Sequence, residues 1–91
     1  MSVKVIIPLK TAKQIQKINP ADQKKISRKL HQLKEEPLLG KPLKGELAGY
    51  FSLKAWPLRI IYTFDQTKQV IKIMAIGYRG DIYKNLKQIK L

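Results

Sequence analysis

Residues 77–84, GYRGDIYK, place an arginine and two tyrosines directly after an apolar run, VIKIMAI. The guanidinium of Arg79 is permanently charged and can clamp a phosphate through two parallel hydrogen bonds. Tyr78 and Tyr83 flank Arg79 at close spacing and add two phenol groups to the same stretch. The stretch therefore ends a strand and is also a candidate anion-binding site.

Other standard catalytic groups are scarce. The chain has no cysteine, one histidine and six carboxylates. Glu35 and Glu36 are adjacent at a predicted helix end and the other four carboxylates are scattered, which argues against a carboxylate pair or a metal site. No phosphate-binding glycine loop or dinucleotide motif occurs. We expect no metal and no small-molecule cofactor.

The charge of the chain indicates its partners. Nineteen lysines and arginines against six acidic residues give a net charge of +13 and a pI near 10.2. Such a field attracts nucleic acid, the ribosome or an acidic protein. No apolar run approaches the roughly 18 residues that span a bilayer, and we expect no signal peptide. We expect residues 1–91 to be one small cytoplasmic domain with no membrane partner.

The residue patterns predict an α+β fold. Residues 3–7, VKVII, favour a strand, and a helical pattern begins at Leu9. Asn19 and Pro20 are typical of a helix start, and Pro37 ends the second helix. Residues 37–49 read as a loop, after which three runs of period two predict an antiparallel three-strand meander. The expected order is an N-terminal strand, a helical hairpin and the meander.

Alternation along the strands assigns faces. Successive side chains of a strand point to opposite faces of the sheet. In residues 50–56 and 58–64, the alternate residues that are mainly apolar should lie on the face that packs against the helices. Tyr50, Ser52, Lys54 and Arg59 should then share the opposite face. If Arg79 and Tyr83 reach that face, it becomes a basic and aromatic concavity.

The chain resembles the RelE/ParE toxin superfamily of type II toxin–antitoxin systems over nearly its whole length, most densely in residues 42–84. The matching segments are Leu43–Gly45, Leu58–Tyr62, Gly77–Arg79 and Tyr83. The resemblance implies the RelE-like, microbial-ribonuclease-type fold. It also implies a ribosome-dependent endoribonuclease that cuts mRNA in the A site by attack of the message's own 2′-hydroxyl, without a metal. A RelB-like antitoxin with an acidic or amphipathic segment would be the protein partner.

The resemblance assigns candidate roles within this chain. Arg79, Tyr83, Arg59 and Lys54 are the expected catalytic residues. The RelE pattern has two lysines in this strand, near Tyr50 and Ser52; this chain lacks the pair, and Lys54 is a displaced or partial substitute for it. The expected RNA contacts are Lys44, Tyr50, Ser52, Tyr78 and Lys84.

Two alternatives to an enzyme stay open. ParE-like members share the fold and inhibit DNA gyrase, and a catalytically silent member would only bind its antitoxin. The missing lysine pair favours both alternatives, whereas Arg79 together with Tyr83 favours the nuclease.

Overall fold

The computed structural model describes residues 3–78 and residue 82. Its elements in chain order are β1 (Lys4–Ile6), α1 (Leu9–Gln16), α2 (Pro20–Glu35), β2 (Lys41–Pro42), a 3-10 helix (Gly45–Leu47), β3 (Phe51–Ala55), β4 (Leu58–Asp65) and β5 (Val70–Tyr78).

The five strands form one mixed sheet in the order β1-β5-β4-β3-β2. The neighbours β3, β4 and β5 pair antiparallel, which confirms the predicted meander. The first strand pairs parallel with β5, because the helical hairpin returns the chain to the same end of the sheet. The α+β fold with two helices and an N-terminal strand is therefore as expected.

The helix boundaries follow the local signals. The side chain of Asn19 accepts a hydrogen bond from the amide of Asp22 at 2.9 Å, and Pro20 occupies the first turn of α2. Within α2, Ile26 and Leu33 are buried and Leu30 packs beside them. This stripe sets α2 against the sheet.

The main core lies between the helices and one face of the sheet. Its strand members include Leu53, Ala55, Leu58, Ile60 and Tyr62, so the predicted alternation of β3 and β4 is correct. We call this face of the sheet the helix side and the opposite face the reverse face.

A β-bulge changes the alternation of β5. Ile61 pairs with Ala75 while Tyr62 pairs with Ile73, which leaves Met74 as an extra residue. Ile73 and Ile76 consequently both pack in the main core, although they are three residues apart. The strand β5 is apolar almost throughout because it packs in the main core on one face and, through Ala75 and Met74, in a second apolar cluster on the other.

The predicted loop 37–49 is ordered and partly regular. Its two-residue strand β2 pairs with β3 at the sheet edge, with Lys41 opposite Ser52. Gly45 and Gly49 have φ of 69° and 95°, a region that glycine enters without strain, and they let the segment turn back toward β3. No helix among the described residues is both long and apolar enough to cross a membrane.

Candidate anion-binding site on the reverse face

Two cations face each other on neighbouring strands. Lys54 of β3 lies opposite Arg59 of β4, and Arg59 lies opposite Gly77 of β5. Directly opposed residues of antiparallel strands project from the same face, so both side chains belong to the reverse face. We call Lys54 and Arg59 the cation pair.

The described residues provide no carboxylate for the cation pair. In residues 3–78 and 82, the one ion pair within 4.0 Å joins Lys25 to Asp22. Like charges directly opposite each other destabilise a strand pair. An incoming anion would relieve that repulsion, and this makes the cation pair a candidate anion site.

Ser52 adds a polar group beside the cation pair. The Nη1 of Arg59 donates to the Oγ of Ser52 over 3.5 Å, a long contact at the limit of a hydrogen bond. Arg59 is half-buried and Ser52 is buried. The serine therefore helps to orient the guanidinium and has little surface of its own to offer a ligand.

The rest of the reverse face holds an apolar cluster. Tyr50, Ile61, Ala75 and Ile82 are buried there, with Leu43, Leu47 and Met74 packed against them. The loop 43–49 packs over one part of the reverse face. The predicted basic and aromatic surface is therefore not one continuous concavity. Tyr50 is only 6% exposed, so in this structure its ring serves packing.

Tyr78 lies apart from the cation pair. It pairs with Leu58 on the helix side, and its hydroxyl donates to Oδ2 of Asp22 at 3.2 Å. Partial desolvation, together with the hydrogen bond to Asp22 and the negative charge of Asp22, raises the pKa of Tyr78 above the usual value for a phenol. The β-bulge at Met74 is what rotates the strand end to this side.

The other predicted residues divide into two groups. Lys44 is exposed, at the N-cap of the 3-10 helix in the covering loop. The predictions for Arg79, Tyr83 and Lys84 fall outside the described residues.

One aromatic residue was missed by the sequence analysis. Trp56, in the β3–β4 turn, is 71% exposed. It lines a small cavity of about 50 Å³ together with Lys54, Arg59, Pro57 and Leu58. Strand alternation placed Trp56 in the same set as Ser52 and Lys54, and that signal could have identified it.

A larger cleft of about 480 Å³ lies on the helix side, between α2 and β3. Its lining residues are Lys29, Gln32, Glu35, Glu36, Leu39 and Leu53. The two glutamates make it a poor match for a polyanion. The smaller cavity at the cation pair is therefore the better candidate site for nucleic acid.

A sequence profile of the ParE-like toxins of type II bacterial toxin–antitoxin systems matches residues 5–87. The chain is also similar to Toxin RelG of Mycobacterium tuberculosis, with 42% identity over 53 residues. That alignment covers 57% of this chain and 61% of RelG, so it spans less than two thirds of the relative.

Two solved structures have a similar fold. The first is the RelBE2 toxin–antitoxin complex of Mycobacterium tuberculosis, with a TM-score of 0.80, 27% identity and coverage of 87% of this chain and 100% of the other. The second is a mutant of Escherichia coli toxin RelE in the free state, with a TM-score of 0.77 and full coverage of both chains. Its identity of 16% supports the fold alone.

Proposed function

Because the chain belongs to the ParE-like toxins of type II bacterial toxin–antitoxin systems, we propose that it is a ribosome-dependent mRNA endoribonuclease. The observation that carries this proposal is the cation pair. Lys54 and Arg59 oppose each other on the reverse face, and no described carboxylate neutralises them. An RNA phosphate supplies the missing negative charge.

The proposed reaction is a transesterification within the RNA. A base removes the proton of a 2′-hydroxyl, its oxygen bonds to the adjacent phosphorus, and the bond from phosphorus to the 5′-oxygen breaks. An acid then protonates the departing 5′-oxygen. The products are a 2′,3′-cyclic phosphate and a 5′-hydroxyl.

Within this proposal the cation pair binds phosphate oxygens. Negative charge on these oxygens increases toward the transition state, so fixed cations lower the barrier. Ser52 limits the rotation of the Arg59 guanidinium by its contact at 3.5 Å. The family resemblance supplies the remaining roles: Arg79 as the clamp of the scissile phosphate and Tyr83 as a stacking or proton-transferring phenol.

We also propose an antitoxin partner. The mycobacterial neighbour was solved as a toxin–antitoxin complex, and a net charge of +13 favours a partner with an acidic segment. In this proposal, toxin and ribosome meet in the cytoplasm, and the antitoxin holds the toxin inactive.

The family match also supports a second candidate function. Its description is ParE-like, and the resemblance to ParE implies inhibition of DNA gyrase. A gyrase inhibitor would need the fold and a protein-binding surface, but it would not need residues that catalyse RNA cleavage.

Two assays run in parallel separate these functions. Purified toxin is added to ribosomes programmed with a defined mRNA, and separately to gyrase with relaxed plasmid. The nuclease predicts new mRNA 5′ ends within the A-site codon and unchanged supercoiling. Loss of supercoiling with intact mRNA would reject the nuclease in favour of gyrase inhibition.

A further inference from the structure

Trp56 is the one tryptophan of the chain, and its position is unusual for so large an apolar side chain. It is 71% exposed, whereas Tyr62, the largest fully buried side chain among the described residues, is 0% exposed. Burying a large apolar side chain is favourable because it removes apolar surface from water. Most of the Trp56 side chain stays in contact with solvent and does not gain this stabilisation.

The backbone at Trp56 is tied to the helical layer. The Nζ of Lys25 donates to the carbonyl oxygen of Trp56 at 3.2 Å. The same Nζ lies 3.8 Å from Oδ1 of Asp22, a buried carboxylate in the first turn of α2. The turn that carries the indole is therefore held in place while the ring itself stays accessible.

The surroundings of the ring suit a nucleotide. The indole and both members of the cation pair line the same cavity of about 50 Å³. That volume is too small to enclose a base, so a base would lie over the exposed ring. A nucleotide joins a flat ring to an anionic phosphate, which matches a flat indole beside two cations.

Resting on the proposed function, we propose that Trp56 stacks on an unpaired RNA base while an adjoining phosphate lies against Lys54 and Arg59. Single-stranded RNA fits better than duplex, because bases in a duplex already stack on each other. Stacking on an aromatic ring tolerates any base. Trp56 is thus a substrate-binding residue at the edge of the cation pair.

Intrinsic fluorescence tests this contact, because Trp56 is the sole tryptophan. The probe is a single-stranded hexanucleotide with 2′-O-methyl groups throughout, which the proposed reaction cannot cleave. We expect saturable quenching of the indole emission in low salt. No quenching up to millimolar oligonucleotide, or quenching by an acidic antitoxin peptide but not by RNA, would overturn the proposal.

Matched variants separate stacking from general attraction, with binding measured by anisotropy of a labelled hexanucleotide. Base–aromatic stacking is worth about 1–3 kcal/mol, so Trp56→Leu should weaken binding about 5- to 150-fold. Trp56→Phe keeps a ring and should stay within a few-fold of wild type. Equal affinity of Trp56→Leu and wild type would contradict stacking. Thermal melts of both variants check that they fold.

Together, these binding assays and the ribosome cleavage assay distinguish failure of the stacking proposal from failure of the proposed nuclease activity. Quenching and loss of affinity in Trp56→Leu, with no cleavage on ribosomes by wild type, would uphold stacking and reject the nuclease. Cleavage by wild type and Trp56→Leu alike, without quenching, would reject stacking and leave the nuclease intact.

Discussion

Lys54 and Arg59 lie directly opposite each other on β3 and β4, and both project from the reverse face of the sheet. A carboxylate opposite a cation would stabilise this cross-strand pair, whereas two cations opposite each other destabilise it. The described residues instead hold the two positive charges together. We therefore expect this arrangement to lower the stability of the free protein, and we expect a bound anion to relieve the repulsion.

The first prediction concerns this repulsion. Lys54→Thr should raise the free energy of unfolding by about 0.2–1 kcal/mol at low salt, because it removes one of two opposed cations. The gain should largely vanish at 1 M salt, where the screening length is about 3 Å. Urea denaturation at the two salt concentrations measures both effects.

Lys72→Thr is the matched control. Lys72 is an exposed strand lysine that lies opposite Thr63 and so has no cation across from it. Both substitutions exchange an exposed strand lysine for threonine, but the change in strand propensity depends on strand position, so the salt-dependent part of each gain is the quantity to compare. Equal, salt-independent gains in the two variants would show that the cation pair is not repulsive.

The second prediction concerns Tyr62, whose hydroxyl holds the segment after α2. It donates to the carbonyl of Pro37 at 2.9 Å and accepts from the amide of Gly40 at 2.8 Å. Tyr62→Phe should cost about 1–3 kcal/mol at neutral pH, because it leaves the buried Gly40 amide without its acceptor. Equilibrium unfolding in urea measures this loss.

Tyr62 also predicts a pH dependence. Burial raises the pKa of Tyr62, and the hydrogen bond from Gly40 opposes only part of that rise. Since the unfolded phenol ionises near 10 and the folded phenol at higher pH, this contribution to stability is complete below about pH 10. It is lost as pH rises through the folded pKa. The difference in unfolding free energy between wild type and Tyr62→Phe should therefore shrink above pH 10. A constant difference would contradict the raised pKa.

The third prediction tests the close packing at Gly40. A Cβ at Gly40 would lie 2.7 Å from the hydroxyl oxygen of Tyr62 and 2.8 Å from its Cε1. Gly40→Ala should destabilise the fold by about 1–3 kcal/mol through overpacking. In a Tyr62→Phe background the clash with the hydroxyl is gone, so the penalty should be smaller. A double-mutant cycle by urea denaturation gives the coupling, and strict additivity would contradict the clash.

Much of the fold was predictable because local chemistry specified it. Asn19 and Pro20 marked the start of α2, and period-two alternation placed Leu53, Ile60 and Tyr62 on the helix side. The β-bulge at Met74 was not predictable, because it is a property of the pairing between strands and leaves no signal within β5 alone. The strand β2 was missed because two prolines and three glycines in residues 37–49 indicate a loop.

The candidate site was predictable in part for the same reason. Alternation correctly brought Ser52, Lys54 and Arg59 to one face. Tyr78 lies on the other side because the bulge, unseen in the sequence, changes the alternation before it. Tyr50 is buried in a cluster with Ile61, Ala75 and Ile82, and such long-range contacts are not encoded by a local pattern.

The most direct test of the proposed function is a primer-extension map of mRNA 5′ ends on programmed ribosomes. Wild type should produce new ends within the A-site codon, and Arg59→Ala should reduce their rate of formation by about 10²–10³-fold, the usual effect of removing one preorganised donor. Arg28→Ala, which removes an exposed arginine from α2, is the matched control and should cleave like wild type. Equal loss in both variants, or unchanged cleavage by Arg59→Ala, would contradict a catalytic cation pair.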